Sequence, residues 1–244
     1  VNDNPMPGLR DRIDSVDQKL LRLIGERLKL AEDVRDAKST PTDGPKGLWR
    51  PSREESLVRD LVETGGVNAP LVSRIWAELV SASLAVQGPM QIHVGLEGDR
   101  MAALRLVRDR FGAALPTLTY PTSSAALAAA HADDEGVAVL PSPQDMVSWW
   151  AALCPGGAME DMKIQTGLPR VRNQDWPRDD WPRAVAVASV EPKSSGADRW
   201  LVVSQSARSE TLRAEAGPWK LYTTQTRTDD DHIIGILPDP LPPE

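Results

Sequence analysis

From Leu9 to Lys38 the chain runs thirty residues with no Pro and a single Gly. Apolar residues recur at Leu9, Ile13, Val16, Leu20, Leu23, Leu30, Val34 and Ala37 in steps of four and three, the period of an α-helix. One beat of the stripe, between Leu23 and Leu30, is filled by Arg27. A helix of this length runs about 45 Å at 1.5 Å per residue. A globule made of the first ninety residues would be only roughly 30 Å across. The helix is therefore too long for a compact monomer of its own domain. It must pack on a partner chain or lie along the rest of this one.

Pro5 and Pro7 suit the entry to this helix, and the stretch STPTDGPKG after Lys38 reads as a loop. A second helix opens at Arg50-Pro51-Ser52, with Pro51 at its first position, and stops at Gly65-Gly66. Its buried face is Leu57, Val58, Leu61 and Val62. A third helix is capped by Asn68, carries the stripe Val72, Ile75, Trp76, Leu79, Val80, Ser83 and Gln87, and ends at Gly88-Pro89. Residues 1–89 are thus expected to form an all-α three-helix domain.

Several polar residues interrupt these apolar faces. Arg27 and Lys38 lie eleven residues apart, about three turns, so they project on nearly the same side. Arg10 is turned away from them by roughly 100°. Ser83 and Gln87 are four apart and share one face, while Arg53 and Glu54 stand in the first turn of the second helix. Each alone has an ordinary reading: an Arg snorkels, a Ser bonds its own backbone. Together, two cations and two neutral polar groups on apolar stripes call for an anionic partner, and the acidic residues of the long helix sit mostly on its other faces. The anion is then expected to be a ligand.

These residues carry a resemblance. Leu9-Arg10-x-x-Ile13-x-x-x-Asp17, followed by Leu20-Leu21, Glu26-Arg27 and Ala37-Lys38, resembles the first helix of the all-helical chorismate mutases. Trp49-Arg50-Pro51-x-Arg53-Glu54 resembles the start of that family's second helix, and Ser83-x-x-x-Gln87 the end of its third. The resemblance implies an isomerase that rearranges chorismate to prephenate in phenylalanine and tyrosine biosynthesis, with no cofactor and no metal. It implies that Arg27 grips one substrate carboxylate and that Arg10 completes carboxylate binding from the partner of a homodimer paired through the long helices. Lys38 would serve a carboxylate and the ether oxygen, Gln87 the same ether oxygen, Ser83 the ring carboxylate and Glu54 the ring hydroxyl, with Arg53 supporting Glu54. Lys38, Gln87, Arg27 and Glu54 are thereby the expected catalytic residues. Some members carry Asp where this chain has Arg50, and no role is assigned to Arg50.

From Met90 the pattern changes to short apolar runs alternating with helical stretches, the mark of an α/β sheet domain. Strands are expected at Ile92–Val94, Thr117–Tyr120, Val137–Leu140, Ala184–Val190, Trp200–Ser204, Leu221–Thr224 and Ile233–Leu237. Helices are expected from Met101, from Ser123 and near Asp145. Residues 90–244 resemble a prephenate dehydratase (periplasmic-binding-like) domain in order and length, but in degenerate form. Asp198-Arg199-Trp200 stands where that family has Thr-Arg-Phe, Gly95 to Met101 keeps only the glycines of its opening motif, and Pro143-Gln144-Asp145 replaces Glu-Asn-Ser. Dehydration needs an acid to assist the departing hydroxyl, and those groups are missing, so this domain is expected to be inactive.

Composition narrows the remaining classes. The net charge of −7 argues against a general nucleic-acid binder, and 15 Lys+Arg against 21 Asp+Glu place most of the excess in residues 90–244. No apolar run has the length of a membrane span, the polar start VNDNPMPGLRDR has no signal-peptide core, and the one cysteine, Cys154, excludes an internal disulfide. A cytoplasmic enzyme is the expectation. Gly95-x-x-Gly98 lacks the third glycine of a dinucleotide loop, and His93, His131 and His232 have no ligand spacing. Two other readings compete with the isomerase: a metabolite-sensing or partner-regulating module with little catalysis, and a bifunctional mutase and dehydratase.

Overall fold

The computed structural model describes residues 6–38, 48–143, 148–172, 181–204, 214–216, 219–224 and 232–242. Three helices come first: α1 (Met6–Lys38), α2 (Pro51–Gly65) and α3 (Ala69–Gln87). Their ends fall where the sequence signals lie. Pro51 opens α2, and Gly66 closes it in the left-handed region at φ 63°, a conformation that glycine adopts without steric penalty. Asn68 caps α3, its side-chain oxygen accepting from the Leu71 amide at 3.0 Å. The loop expected after Lys38 and the helix expected near Asp145 lie outside the described residues.

The rest is one mixed sheet with helices against it. In chain order the elements are β1 (Gln91–Val94), α4 (Arg100–Phe111), β2 (Thr117–Thr119), α5 (Ser123–Ala132), β3 (Gly136–Pro141) and a short 3-10 helix at Ser148–Leu153. Then follow β4 (Lys163–Leu168), β5 (Ala184–Ala188), β6 (Asp198–Ser204), β7 (Ala214–Ala216), β8 (Trp219–Thr224) and β9 (His232–Pro238). The strand order is β2-β1-β3-β5-β4-β9-β6-β8-β7. β2, β1 and β3 are parallel, with α4 and α5 as the crossovers. β5 enters antiparallel to both β3 and β4.

Two strands, β4 and β7, were not among those expected. β4 lies near the middle of the sheet, yet its sequence KIQTGL is not an apolar run. Gln165 and Thr166 are buried there, and the Gln165 amide donates to the Val190 carbonyl at 2.5 Å. A register shift between Ile164 and Thr166 also breaks the alternation of faces.

The helical layer and the sheet share a core. Trp49, just before α2, and Leu84 of α3 pack with Met90, Ile92, Val94, Phe111, Val139 and Ala186 from the sheet unit. Helix α3 runs against α1, α2 and α4. By length and composition alone α3 could cross a membrane, but it carries Arg74 and Glu78 and is packed on three helices. Its contact with the turn after α4 is close: a Cβ on Gly112 would meet the Ala77 carbonyl oxygen at 2.8 Å, and Gly112 sits at φ 66°. Ser81 Oγ accepts from the Ala114 amide at 3.0 Å across the same seam. Leu241, near the end of the described chain, packs with Val58, Ala69 and Val72.

Helix α1 behaves differently. It packs principally on α3, through Ile24, Arg27, Leu28 and Ala31, of which only Ala31 is buried. Leu9, Ile13, Val16, Leu20, Leu23, Leu30 and Val34 are all exposed. Of the two fates open to a helix this long, lying along its own chain is not the one found among the described residues. At 100° per residue, Arg27 falls at the seam between the flank that α3 covers and the stripe left open.

Candidate active site

The polar residues of α1 and α3 meet at that seam. Half-buried Arg27 donates from Nη1 to the Leu79 carbonyl at 2.6 Å and to Ser83 Oγ at 2.5 Å. Ser83 Oγ donates in turn to the Leu79 carbonyl at 2.8 Å, the backbone return bond of a buried helical serine. One turn on, Gln87 Nε2 donates to the Ser83 carbonyl at 3.1 Å. Among the described residues Arg27 forms no ion pair. Burial lowers its pKa, and the negative charge of Glu54 opposes that shift. An arginine held this way, partly desolvated and with forked donors, is prepared to take a carboxylate.

Glu54 sits at the start of α2, buried, in a cluster of four charges. Its Oε1 accepts from Arg110 Nη1 at 2.7 Å and from Arg170 Nη2, and its Oε2 accepts from Trp49 Nε1 at 3.0 Å. The neighbouring Glu55 pairs with Arg110 Nη2 at 2.8 Å and with Arg170 Nε at 3.1 Å. Thr166 and Ser73 complete the cluster, Thr166 Oγ1 donating to Glu55 and Arg170 Nη1 to Ser73 Oγ. The Arg110 guanidinium also lies 5.0 Å from the Phe111 ring centre and 5.6 Å from that of Trp49, within cation–π range. Burial alone would raise the Glu54 pKa. The charges of Arg110 and Arg170, with the Trp49 and Arg170 hydrogen bonds, more than offset it and leave the carboxyl below its ordinary value.

The structure thus brings together Arg27, Ser83 and Gln87, with Glu54 close enough to act on Arg27 electrostatically. It does not bring Arg10 to them. Arg10 is exposed on α1, seventeen residues or about 25 Å along the helix from Arg27. Arg50 and Arg53 are exposed as well. The expected support of Glu54 by Arg53 is corrected: the cations on Glu54 are Arg110 and Arg170, because the first turn of α2 aims Glu54 into the shared core and Arg53 outward. Lys38 closes α1, and its side chain lies outside the described residues.

Sequence reasoning missed Arg110 and Arg170. Arg110 had a legible signal, since it stands three residues after buried Val107 and beside buried Phe111, an interruption of an apolar face like that of Arg27. Arg170 follows Leu168-Pro169 at the end of β4, where no periodicity marks it.

A long helix carrying a half-buried arginine against a third helix, joined through a charged cluster to a mixed α/β sheet, defines a helical domain packed on a sheet domain. Residues 9–88 match the family model for chorismate mutase type II. This part of the chain is similar to chorismate mutase type II domains. Three curated relatives are bifunctional chorismate mutase/prephenate dehydratases. That of Pseudomonas aeruginosa is 34% identical over 111 residues, 43% of this chain and 30% of the relative. That of Stutzerimonas stutzeri is 33% identical over 107 residues, 41% and 29%. That of Neisseria gonorrhoeae is 31% identical over 118 residues, 46% and 30%. The chain therefore matches under a third of each relative's length. No solved structure matches.

Proposed function

We propose that the chain is a chorismate mutase that rearranges chorismate to prephenate, in the biosynthesis of phenylalanine and tyrosine. The observation that carries this reading is the Arg27–Ser83 hydrogen bond with Gln87 one turn beyond, inside residues that match the mutase family. The reaction breaks one carbon–oxygen ether bond as one carbon–carbon bond forms within the same molecule. It needs no nucleophile, only a substrate dicarboxylate folded so that its two halves meet, which is catalysis by orientation. Charge develops on the ether oxygen as it departs, and donors aimed there favour the transition state over the ground state. In this reading Arg27 takes one carboxylate and Ser83 meets the ring carboxylate. Gln87 and Lys38 donate to the ether oxygen, Glu54 accepts from the ring hydroxyl, and Arg53 adds positive potential.

The working unit is a homodimer. Its support is the open stripe of α1 and the position of Arg10. Arg10 cannot reach its own Arg27, but an antiparallel second α1 would carry a second Arg10 to it. Residues 90–244 form a degenerate domain of the dehydratase, periplasmic-binding-like type, joined at about residue 89 and inactive in dehydration. The placement of Asp198 supports this: its carboxylate is occupied by Ser194 and Ser195, and Arg199 pairs with Asp239 at 3.1 Å. The protein is cytoplasmic and acts without nucleic acid or membrane.

The test is direct. Purified full chain given chorismate yields prephenate and no phenylpyruvate. An unchanged chorismate signal refutes the mutase reading, and phenylpyruvate refutes the inactive second domain.

A further inference from the structure

The Glu54 cluster has an arrangement that a mutase domain standing alone could not make. Both carboxylates come from α2, and both guanidiniums come from the sheet unit, Arg110 from α4 and Arg170 from the end of β4. All four side chains are buried, with Glu54 the most exposed of them at 7%. The Glu54 carboxylate is fixed from two sides at Oε1, while Oε2 accepts only from Trp49 among the described residues. A carboxylate has about four acceptor sites, so Oε2 retains acceptor capacity beyond its bond from Trp49. Trp49, which holds Oε2, itself packs against Arg110 and against Phe111, whose ring centre lies 5.4 Å away.

We infer that Arg110 and Arg170 are positioning residues for the mutase reaction: they hold the Glu54 carboxylate in place at the start of α2, so the sheet unit takes part in building the mutase site. This rests on the mutase reading above. The sheet unit is then more than a stabilising appendage, because two of its residues set where the ring hydroxyl of chorismate is received. Glu55 takes part in the same cluster from the neighbouring position of α2 and points to Arg170, Arg110 and Thr166. It gives the structural comparison, since weakening it loosens the seam without releasing Glu54.

The test uses full-length Arg170→Lys, Arg110→Lys and Glu55→Gln, with melting temperature, kcat and KM for chorismate measured on each. A lysine keeps the charge and loses the fork. The expected result is that both lysine variants raise KM at least fivefold while Glu55→Gln, with a comparable loss of melting temperature, stays within twofold of wild type. A wild-type KM in both lysine variants overturns the inference and leaves the mutase reading standing. A wild-type chain that neither binds nor converts chorismate overturns both.

The native protein supplies a second readout that needs no variant. The charged groups around Glu54 are Arg27 from α1, Glu55 from α2, Arg110 from α4 and Arg170 after β4. With the cations dominating, Glu54 stays ionised to below the ordinary glutamate range, so kcat/KM should hold as pH falls through about 4.3. An acid limb at or above that value, once the ionisation of the substrate's own carboxylates is subtracted, overturns the inference.

Discussion

The two ends of the helical domain invert the usual rule of burial. On α1 the apolar residues face outward, with Ile13 58%, Leu20 51% and Leu30 63% exposed. At the start of α2 the Glu54 carboxylate faces inward, 7% exposed, against Arg110 of α4 at 1% and Arg170 after β4 at 4%. Neither state is favourable for an isolated surface or an isolated charge. The difference is that the buried charges of the α2 cluster have found partners within the chain, whereas the α1 stripe is left uncovered among the described residues. A short helix beside the sheet is completed by its own C-terminal half. A helix too long for its domain is left to be completed by something else.

The largest effect expected from breaking this contrast is on the α2 side. Glu54→Ala leaves Arg110 and Arg170 facing only Glu55, and removing one partner of a buried pair costs about 3–5 kcal/mol. Urea titration at pH 7 measures it, and a loss within the error of the fit would mean that the cluster is solvated. The same group gives a pH dependence. The folded pKa of Glu54 lies below its unfolded value, so the stabilisation is complete above the unfolded pKa, near 4.3. It is lost progressively as pH falls from there through the folded pKa. Glu54→Gln should remove that acid-side slope.

Next in size is the seam between the two regions. Arg27→Ala should lower kcat/KM by about 10²–10³-fold, the scale of losing one preorganised donor to a charged substrate. Its folding should change little, because Ile24, Leu28 and Ala31 still cover α3. Steady-state kinetics beside a circular dichroism spectrum separate the two, and full activity in this variant would remove Arg27 from the site.

The α1 side carries a smaller energy per residue. Leu20→Glu changes a surface side chain in the single chain, where substitutions stay within about 0.5 kcal/mol. Across a helix pair it removes a buried leucine, roughly 1.5–3 kcal/mol. Sedimentation of wild type and variant over a range of concentrations decides between these. The variant is expected to dissociate at concentrations where the wild type is a dimer. A wild-type chain that is monomeric and fully active would show that the stripe needs no second copy.

How much of this was legible depends on whether the partner of a residue is local. Helix ends were legible because their signals act within a few residues: Pro51, Gly66 and Asn68 each mark a boundary by their own backbone preference or hydrogen bond. Arg27, Ser83 and Gln87 were legible because each breaks an apolar period. The helical period of α1 was read correctly, but a period does not say what covers the face. β4 was missed because its buried Gln165 and Thr166 are satisfied by groups distant in sequence. Arg170 was missed for the same reason, since its carboxylate partners stand more than a hundred residues away.

The smallest effect calibrates the others, because it touches neither region. Asn68 is exposed, and among the described residues its side chain bonds only the first turn of α3. Asn68→Ala therefore removes one cap, worth about 1 kcal/mol, and leaves an orphan amide that water can reach. It should lower the melting temperature slightly without changing KM, kcat or the association state. Helix α3 carries Ser83 and Gln87 at its far end, more than three turns from this cap. If Asn68→Ala altered KM, fraying of α3 would be travelling to the pocket. Loss of activity in the Glu54 and Arg110 variants could then no longer be separated from loosening of the whole helical layer.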